Sequence, residues 1–143
     1  MTPEEDFCTE CLAGILRSNP EMLSDFIRVL LKIESDSIFK VTTQRTFFNK
    51  KENKQGRVDL VFESDSELCF LEMKVRSGEG EEQLENYSQI LSEQPTSINT
   101  YLRYCTLYNE EKADMEDFYQ FRWSDIARFL QSKTEGNTLI NEF

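Results

Sequence analysis

The segments RVDLVFES (57–64) and LCFLEMKV (68–75) constrain the fold of this chain more than any other part of its sequence. Both are short and rich in aliphatic, aromatic and β-branched residues, and the polar SDSE (64–67) separates them, so we predict a β-hairpin. Charged residues stand inside these apolar strands. The first strand contains Asp59, and the second contains Glu72 and Lys74, two residues apart.

The register of this hairpin decides which of its charged side chains are neighbours. If SDSE is the loop, Glu63 faces Leu68, and Asp59 then lies directly opposite Glu72 with Cβ atoms about 5 Å apart. Like charges in such a pair destabilise a sheet, and a divalent cation between two carboxylates would remove the repulsion. The alternative is a solvated polar face on which Lys74 bridges diagonally to Asp59. A slip of one residue would exchange the two faces.

Length, hydropathy and cysteine content favour one globular domain in a reducing compartment. The chain has 143 residues, 38% of them hydrophobic, which is enough for a single domain over residues 1–143. No apolar run approaches the roughly 20 residues of a membrane helix, and no signal peptide opens the chain. We therefore expect a cytoplasmic protein that does not bind membranes.

The four cysteines do not form a disulfide framework. Cys8 and Cys11 share an apparent apolar helix face with Phe7 and Ile15, which favours core packing over a redox pair or a zinc site. We predict that all four cysteines are buried free thiols: Cys8, Cys11, Cys69 and Cys105.

Two features of the composition exclude or disfavour whole classes of function. The chain has no histidine, which excludes Ser-His-Asp and Cys-His catalysis and histidine-ligated zinc within it. Its formal net charge is −11, whereas nonspecific nucleic-acid binders are usually basic because phosphate neutralisation drives their affinity. The charge therefore counts against a nucleic-acid function.

The remaining patterns predict an α/β fold in the order ααβββαβ(β)α, a mixed β-sheet flanked by helices with one parallel crossover through the third helix. The C-terminal NTLINEF has the spacing of a helix that is just beginning, so we expect this domain to be the N-terminal part of a longer chain. The predicted helices cover residues 3–17, a stretch from 19 onward, 81–94 and 122–133, and the predicted strands cover 38–48, 57–64, 68–75, 99–108 and 118–121.

The hairpin sequences GRVDLVF and CFLEMKV resemble the PD-(D/E)xK nuclease superfamily, whose fold is restriction-endonuclease-like. Val58 stands where the name of the family has proline, a position that is not a metal ligand. Five further segments resemble other parts of the family. EDFCTECLAGIL resembles the opening helix, and TTQRTFF resembles the strand before the hairpin motif. GEGEEQLENYSQIL resembles the following helix with its QLxxY pattern, YLRYCTLY the next strand, and FRWSDIARFL the late Trp-containing segment.

This resemblance implies roles for particular residues. Asp59 and Glu72 would be metal ligands, and Lys74 would be the catalytic lysine. The opening helix would present a further metal ligand, Glu10, with Glu5 as the competitor. Gln83 would join the catalytic group, with Tyr87 beside it on the same helix face.

The implied function is a phosphodiesterase, endo- or exonuclease, that depends on Mg²⁺ or Mn²⁺ and cuts DNA rather than RNA. The alternatives are a catalytically inactive nuclease-like binding domain and an unrelated α/β domain, and the net charge of −11 favours both of these. If the chain is a nuclease, we expect a homodimer or a further C-terminal domain to add substrate contacts. The candidate phosphate contacts within the chain are Arg45, Lys50, Lys51, Lys54, Arg57 and Arg76.

Overall fold

The computed structural model describes residues 3–74, 81–106 and 118–134, and these residues form four helices and five strands in the predicted order. None of the described helices is long and apolar enough to cross a lipid bilayer. The elements are α1 (Pro3–Ser18), α2 (Pro20–Val29), β1 (Lys40–Asn49), β2 (Lys54–Glu63), β3 (Glu67–Lys74), α3 (Glu81–Ser92), β4 (Asn99–Thr106), β5 (Phe118–Arg122) and α4 (Trp123–Thr134).

The strands form one mixed sheet in the order β1-β2-β3-β4-β5. Strands β1, β2 and β3 are antiparallel neighbours, whereas β4 runs parallel to β3 and β5 runs parallel to β4. Helix α3 lies between β3 and β4 in the chain, which confirms the predicted parallel crossover. The parallel pairing of β4 with β5 goes beyond that prediction. The acidic NEEKADMED and the C-terminal NTLINEF lie outside the described residues.

Two apolar clusters lie on opposite faces of the sheet. Helices α1, α2 and α4 pack on one face, where Phe26 of α2 stacks on Phe62 of β2 with ring centroids 5.8 Å apart. Helix α3 packs on the other face, where Tyr87 meets Phe70 of β3 edge to face. The sheet is therefore covered on both sides, as its long apolar strands require.

Helix α1 packs on the sheet through a different face from the one predicted. Phe7 and Cys11 are exposed, whereas Thr9 and Leu12 are buried. The α1 sequence contains two overlapping stripes at helical spacing, and the stripe that includes Leu12, Ala13 and Leu16 buries the larger aliphatic surface. The small Ala13 also lets the helix approach the sheet closely.

The cysteine prediction is correct for the redox state but wrong for two of the four positions. All four are free thiols. Cys69 and Cys105 are buried as predicted, and burial raises the pKa of the Cys69 thiol to about 12. Cys8 is half-buried because it borders the buried stripe one turn before Leu12, whereas Cys11 is exposed on the face that turns away from the core.

A buried carboxylate fixes the hairpin loop at the end of the sheet where β3 begins. Ser35, Ser64 and Ser66 donate side-chain hydrogen bonds to Glu67 Oε1 over 2.6, 2.9 and 3.4 Å. Burial alone would raise the pKa of Glu67, but hydrogen bonds from the surrounding serines, including Ser37, outweigh burial and lower it. Glu67 is therefore held as a charged acceptor that joins the loop to the segment before β1.

We predict that Glu67→Gln lowers the free energy of unfolding at neutral pH by about 1–3 kcal/mol, because the amide is a weaker acceptor than the carboxylate for these hydroxyl groups. The folded-state pKa lies below the ordinary value of 4.5, so this stabilisation is present above about pH 4.5 and disappears as the pH falls through the folded-state pKa. Urea unfolding at several pH values measures the difference between wild type and variant. A difference that stays constant down to low pH would contradict the assignment.

Candidate active site

The hairpin brings Asp59 and Glu72 to the place where the described pairing of β2 with β3 ends. The ladder pairs run from Glu63–Leu68 to Leu60–Leu71, which is the predicted register. Asp59 and Glu72 each come one residue beyond the last of these pairs. The two carboxylates therefore lie directly beyond the end of the described backbone pairing between β2 and β3.

An irregularity on the other side of β2 turns Asp59 into this gap. The β1–β2 ladder includes Thr43–Leu60 and Arg45–Val58 but omits Gln44 and Asp59 between them. Gln44 has a φ of 53°, a left-handed conformation that is uncommon for a residue other than glycine. Irregularities of this kind re-aim side chains beside functional sites.

The side-chain pattern of β2 changes phase at the same point. Val58 packs in the α3 cluster, and Leu60 packs in the cluster on the opposite face. In a regular strand Val58 and Leu60 would share one face, so Val58 departs from the alternation that the register implies. Asp59 stands at the change of phase, and its Oδ2 accepts the backbone N–H of Met73 in β3 over 2.8 Å. The carboxylate takes the place of a backbone acceptor in the ladder.

The predicted catalytic set is brought together in a largely buried site. Asp59 is 3% exposed and Glu72 is 1% exposed. Lys74 Nζ lies 3.4 Å from Glu72 Oε1, and the lysine side chain is 13% exposed. The structure pairs Lys74 with Glu72, on its own strand, rather than showing the diagonal bridge to Asp59 that the sequence left open.

The electrostatics of the carboxylate pair favour a bound cation or a bound proton. Burial raises the pKa of Glu72 well above its ordinary value, and the charge of Asp59 raises it further, while Lys74 and the Tyr87 hydroxyl act in the opposite direction. Glu72 Oε2 is buried and accepts no hydrogen bond from any described residue. A buried carboxylate oxygen without a protein partner is costly, and this atom is chemically suited to a bound cation or proton.

Helix α3 contributes Tyr87 and Gln83, which lie behind the carboxylate pair. The buried Tyr87 hydroxyl donates to the backbone carbonyl of Arg57, just before the catalytic segment of β2, and lies within hydrogen-bonding reach of Glu72 and Gln83. Burial raises the pKa of Tyr87, and the charges of Glu72 and Asp59 raise it further, so its hydroxyl stays protonated. Gln83 lies one turn before Tyr87 and is half-buried. The structure thus brings Tyr87 to the carboxylate pair and Gln83 to Tyr87.

The close approach of α3 to β2 depends on Gly56. A Cβ atom at this position would lie 2.8 Å from Asn86 Nδ2 and 3.1 Å from both Ile90 Cδ1 and Tyr87 Cε1. All three neighbours belong to α3. Only glycine leaves room for the helix at the depth from which Tyr87 reaches the strand.

The end of β3 is supported by α4. The indole Nε1 of Trp123 donates to the backbone carbonyl of Lys74 over 3.1 Å. Trp123 also packs on the apolar cluster between the sheet and its helices. The late Trp-containing segment therefore fixes the strand end that carries Lys74, a connection that the sequence pattern does not reveal.

The structure does not bring Glu10 to the pair. Its side chain is exposed on α1, and among the described residues no recorded contact joins it to Asp59 or Glu72. The side chain of Glu5 lies outside the described residues. Asp6, which the sequence analysis did not consider, accepts a hydrogen bond from Gln44 Nε2 over 3.3 Å, and Gln44 lies opposite Asp59. Asp6 precedes Thr9 by three residues and Glu5 precedes it by four, so helical spacing from the buried stripe indicates both carboxylates and does not single out Asp6.

The donor set fits a divalent cation that keeps water and substrate oxygens in its coordination sphere. Across residues 3–74, 81–106 and 118–134, no three Cys, Asp or Glu side chains cluster closely enough to form a metal cage. Two buried carboxylates with one unpartnered oxygen are nonetheless what Mg²⁺ uses, because it retains several waters and takes the rest of its ligands from substrate phosphate. Asp59 and Glu72 therefore fit such an ion by their chemistry.

A cavity opens elsewhere in the molecule, between α1, α2 and the start of β1. Its volume is about 670 Å³, and its lining includes Leu16, Leu23, Ile27 and Val41. None of the predicted site residues lines it. The chemistry is therefore concentrated at the sheet and not in this cavity.

Comparison with known families agrees with the geometry. A family model described as PD-(D/E)XK nuclease superfamily matches residues 5–139. The chain belongs to the PD-(D/E)XK nuclease superfamily. A comparison with curated proteins finds no match. The matched range includes both strands of the hairpin, α3 and α4, so the elements of this PD-(D/E)XK domain that carry the site are all within the family's extent.

We predict that Gly56→Ala in this PD-(D/E)XK domain lowers the free energy of unfolding by about 1–3 kcal/mol, the usual cost of forcing an extra carbon into a packed interface. The added carbon would displace α3 and with it the Tyr87 hydroxyl. Chemical denaturation measures the loss, and Gly14→Ala is the control because a Cβ there meets no atom within 4 Å. Equal stability of wild type and Gly56→Ala would show that α3 is not held by this contact.

Proposed function

We propose that this chain is a nuclease that hydrolyses phosphodiester bonds of DNA, using Mg²⁺ or Mn²⁺ bound by Asp59 and Glu72. The observation that carries the proposal is the unpartnered, buried Glu72 Oε2 beside Asp59, with Lys74 Nζ 3.4 Å from the other oxygen of Glu72. Membership of a nuclease superfamily supports the same reaction class. DNA is proposed ahead of RNA, and parallel assays on both decide between them.

In this proposal the protein contributes to the reaction by holding the Asp59 and Glu72 carboxylates in fixed positions. Asp59 is fixed by the Met73 N–H and Glu72 by the strand that bears it, so both carboxylates are oriented before substrate arrives. When bound, a divalent cation would lower the pKa of the attacking water and stabilise charge on the phosphate. Exclusion of bulk water from a buried site strengthens both effects.

Lys74 is proposed as the catalytic lysine. Its ammonium stands beside Glu72 on the partly open side of the site, where it can hold the attacking water and stabilise negative charge on the phosphate as the new bond forms. Trp123 fixes the backbone of Lys74, so the ammonium stays close to the carboxylates. Lys74 therefore acts mainly on the chemical step.

Gln83 and Tyr87 are proposed to orient the pair and the substrate from α3. The amide of Gln83, within hydrogen-bonding reach of Tyr87, would contact a phosphate or a base, and Tyr87 holds β2 through the Arg57 carbonyl. Glu10 stays in the proposal as a metal ligand only if substrate binding brings the α1 carboxylates inward. Asp6 is the α1 carboxylate already linked to the site through Gln44.

A catalytically inactive nuclease-like binding domain is the second candidate, and the net charge of −11 is the observation that favours it. The presence of Asp59, Glu72 and Lys74 together favours cleavage, because a domain that only binds has no use for a buried pair of repelling carboxylates. A homodimer or a further C-terminal domain would supply additional substrate contacts. Free thiols, including the exposed Cys11, fit our proposal of a cytoplasmic location.

We predict that millimolar Mg²⁺ or Mn²⁺ raises the melting temperature of wild type and that Asp59→Asn abolishes the rise. An ion that binds only the native state stabilises it by about 2.7 kcal/mol at a concentration of 100 times its dissociation constant. Calorimetry with and without metal measures the effect. Asp65→Asn, in the exposed hairpin loop, is the matched control and should keep the full metal response. Identical melting of wild type with and without metal would count heavily against the site.

We predict that Lys74→Ala retains metal-induced stabilisation but cuts DNA roughly 10²-fold or more slowly, the scale of losing one group that stabilises transition-state charge. Lys74→Arg should restore only part of the rate, because a planar guanidinium does not replace a compact ammonium. The assay compares single- and double-stranded DNA and RNA with Mg²⁺ or Mn²⁺, with Lys40→Ala as a control for an exposed lysine.

The same assay separates three outcomes. Wild type that cuts no substrate would shift the assignment to the inactive binding domain. Lys74→Ala that cuts as fast as wild type would refute the role of Lys74 even though the chain is a nuclease. Loss of metal-induced stabilisation in Lys74→Ala would show that the lysine supports metal binding rather than the chemical step.

A further inference from the structure

The end of the β1–β2 hairpin is a two-stranded ribbon with one exposed face. This ribbon consists of the turn and the strand ends that lead into it. We call residues 46–57 the β1–β2 arm. The pairs Thr46–Arg57 and Phe48–Gln55 lie on one face because directly opposed residues share a face and successive residues alternate. All four of these side chains are exposed, and Phe48 is 49% exposed. This face therefore presents an aromatic ring beside the cationic Arg57.

The other face of the arm is closed by α3. Phe47 packs against Phe70 with ring centroids 4.6 Å apart, and Gly56 lies directly under Asn86 and Ile90. The outward direction of Phe48 is therefore fixed by the burial of its neighbour. Phe48 is not free to turn into the core without displacing α3.

Helix α3 and the residue after it also hold the turn of the arm. Asn49 is buried and donates from Nδ2 to Asn86 Oδ1 and Gln89 Oε1, each over 2.7 Å. The two oxygens of Glu93 accept the backbone N–H groups of Lys50 and Lys51 over 3.2 and 3.0 Å. The turn is thus attached to the same helix that carries Gln83 and Tyr87, so the arm has a fixed position relative to the carboxylate pair.

The β1–β2 arm is positively charged, whereas the chain as a whole is negatively charged. It contains four cations, Lys50, Lys51, Lys54 and Arg57, and one acid, Glu52, which gives a charge of +3 in a chain whose net charge is −11. All four cationic side chains are exposed, and none of them forms an ion pair with a residue in the described parts of the chain. Arg45, by contrast, is paired with Glu63 over 2.6 Å. The unpaired cations are available for phosphate.

The arm continues along β2 to Asp59. Arg57 precedes Asp59 by two residues, about 7 Å along the strand, and Gln55 with its partner Phe48 lies about 14 Å from Asp59. The exposed face of the arm is opposite α3, whereas Glu72 and Lys74 lie on the α3 face because they alternate with Leu71 and Met73. A strand of nucleic acid that is cut at the carboxylate pair would therefore pass around the side of β2 that β3 leaves unpaired before it reaches Arg57 and Phe48. The lysines of the turn lie farther along the same direction.

We propose that the β1–β2 arm binds a single-stranded stretch of nucleic acid, with an unpaired base stacked on Phe48 and phosphates contacted by Arg57 and the lysines of the turn. An aromatic ring next to a row of cations is how sequence-independent single-strand binders work, because every base has a π-face. In duplex DNA the bases stack on each other, so their faces are covered. We therefore expect the Phe48 ring to stack on an unpaired base. The direction toward Asp59 rests on the proposed nuclease function, whereas the binding itself does not.

Fluorescence anisotropy in EDTA tests the arm without any cleavage. The probe is a labelled oligonucleotide, either single-stranded or annealed to its complement, titrated with full-length protein at several salt concentrations. Phe48→Ala should weaken single-strand binding about 10-fold and leave duplex binding little changed. Arg57→Gln should weaken binding to both and reduce the salt slope by about one.

Two matched controls lie at the far end of β1. Ile38→Ala removes an exposed apolar side chain, and Lys40→Gln removes an exposed cation, so both should bind as wild type does. Melting temperatures confirm that each variant is folded. Normal single-strand binding by Phe48→Ala, or an equal loss on duplex, would overturn the stacking role. A change of oligomeric state on Phe48→Ala in gel filtration would instead assign the ring to a protein interface and would also overturn it.

These experiments can refute the proposed role of the arm and the proposed nuclease function independently of each other. Wild type that binds through the arm but cuts no substrate with metal would refute the proposed function and leave the arm intact. An active nuclease whose Phe48 and Arg57 variants bind normally would refute the arm and leave the function intact. Wild type that binds neither oligonucleotide would overturn the arm directly.

Discussion

The structure depends on the burial of two carboxylates beside each other where β2 and β3 part. Asp59 and Glu72 are both almost fully removed from water, and the proximity of Asp59 and burial together raise the pKa of Glu72. Such a pair is unfavourable unless a proton or a cation stands between its oxygens, so no stability argument explains its presence. The pair is consistent with the proposed metal site, in which Glu72 Oε2 would be a ligand atom.

The surrounding elements hold this unfavourable arrangement in place. The Met73 N–H fixes Asp59, and the left-handed Gln44 opposite Asp59 accompanies the change of phase that turns the carboxylate into the gap. Gly56 lets α3 approach closely enough for Tyr87 to reach β2, and Trp123 fixes the end of β3. The same helix holds the basic arm through Asn49, so the arm and Tyr87 are attached to one element. Strain of this kind is stored where function requires a defined geometry.

Much of this was predictable because hairpins are governed by local rules. The two apolar strands, the length of their loop and the period of two determine the register that opposes Asp59 and Glu72, and the structure has that register for the pairs beside them. The face of α1 was not predictable in the same way. Phe7 and Cys11 form an apparent apolar stripe, and only packing against the sheet shows that the stripe of Leu12 and Leu16 is the buried one. The phase change at Val58 and the link from Trp123 to Lys74 are tertiary effects without a local signal.

The most direct test of the central claim is a crystal structure of the wild-type protein soaked in Mn²⁺, with the ion located by its anomalous scattering. The account predicts one strong peak between Asp59 and Glu72, with Glu72 Oε2 among its ligands and the peak absent from Asp59→Asn crystals. A Mn²⁺ peak at other acidic residues, with Glu72 Oε2 still unliganded, would contradict it. So would a carboxylate pair that keeps its metal-free contacts at a saturating concentration of Mn²⁺.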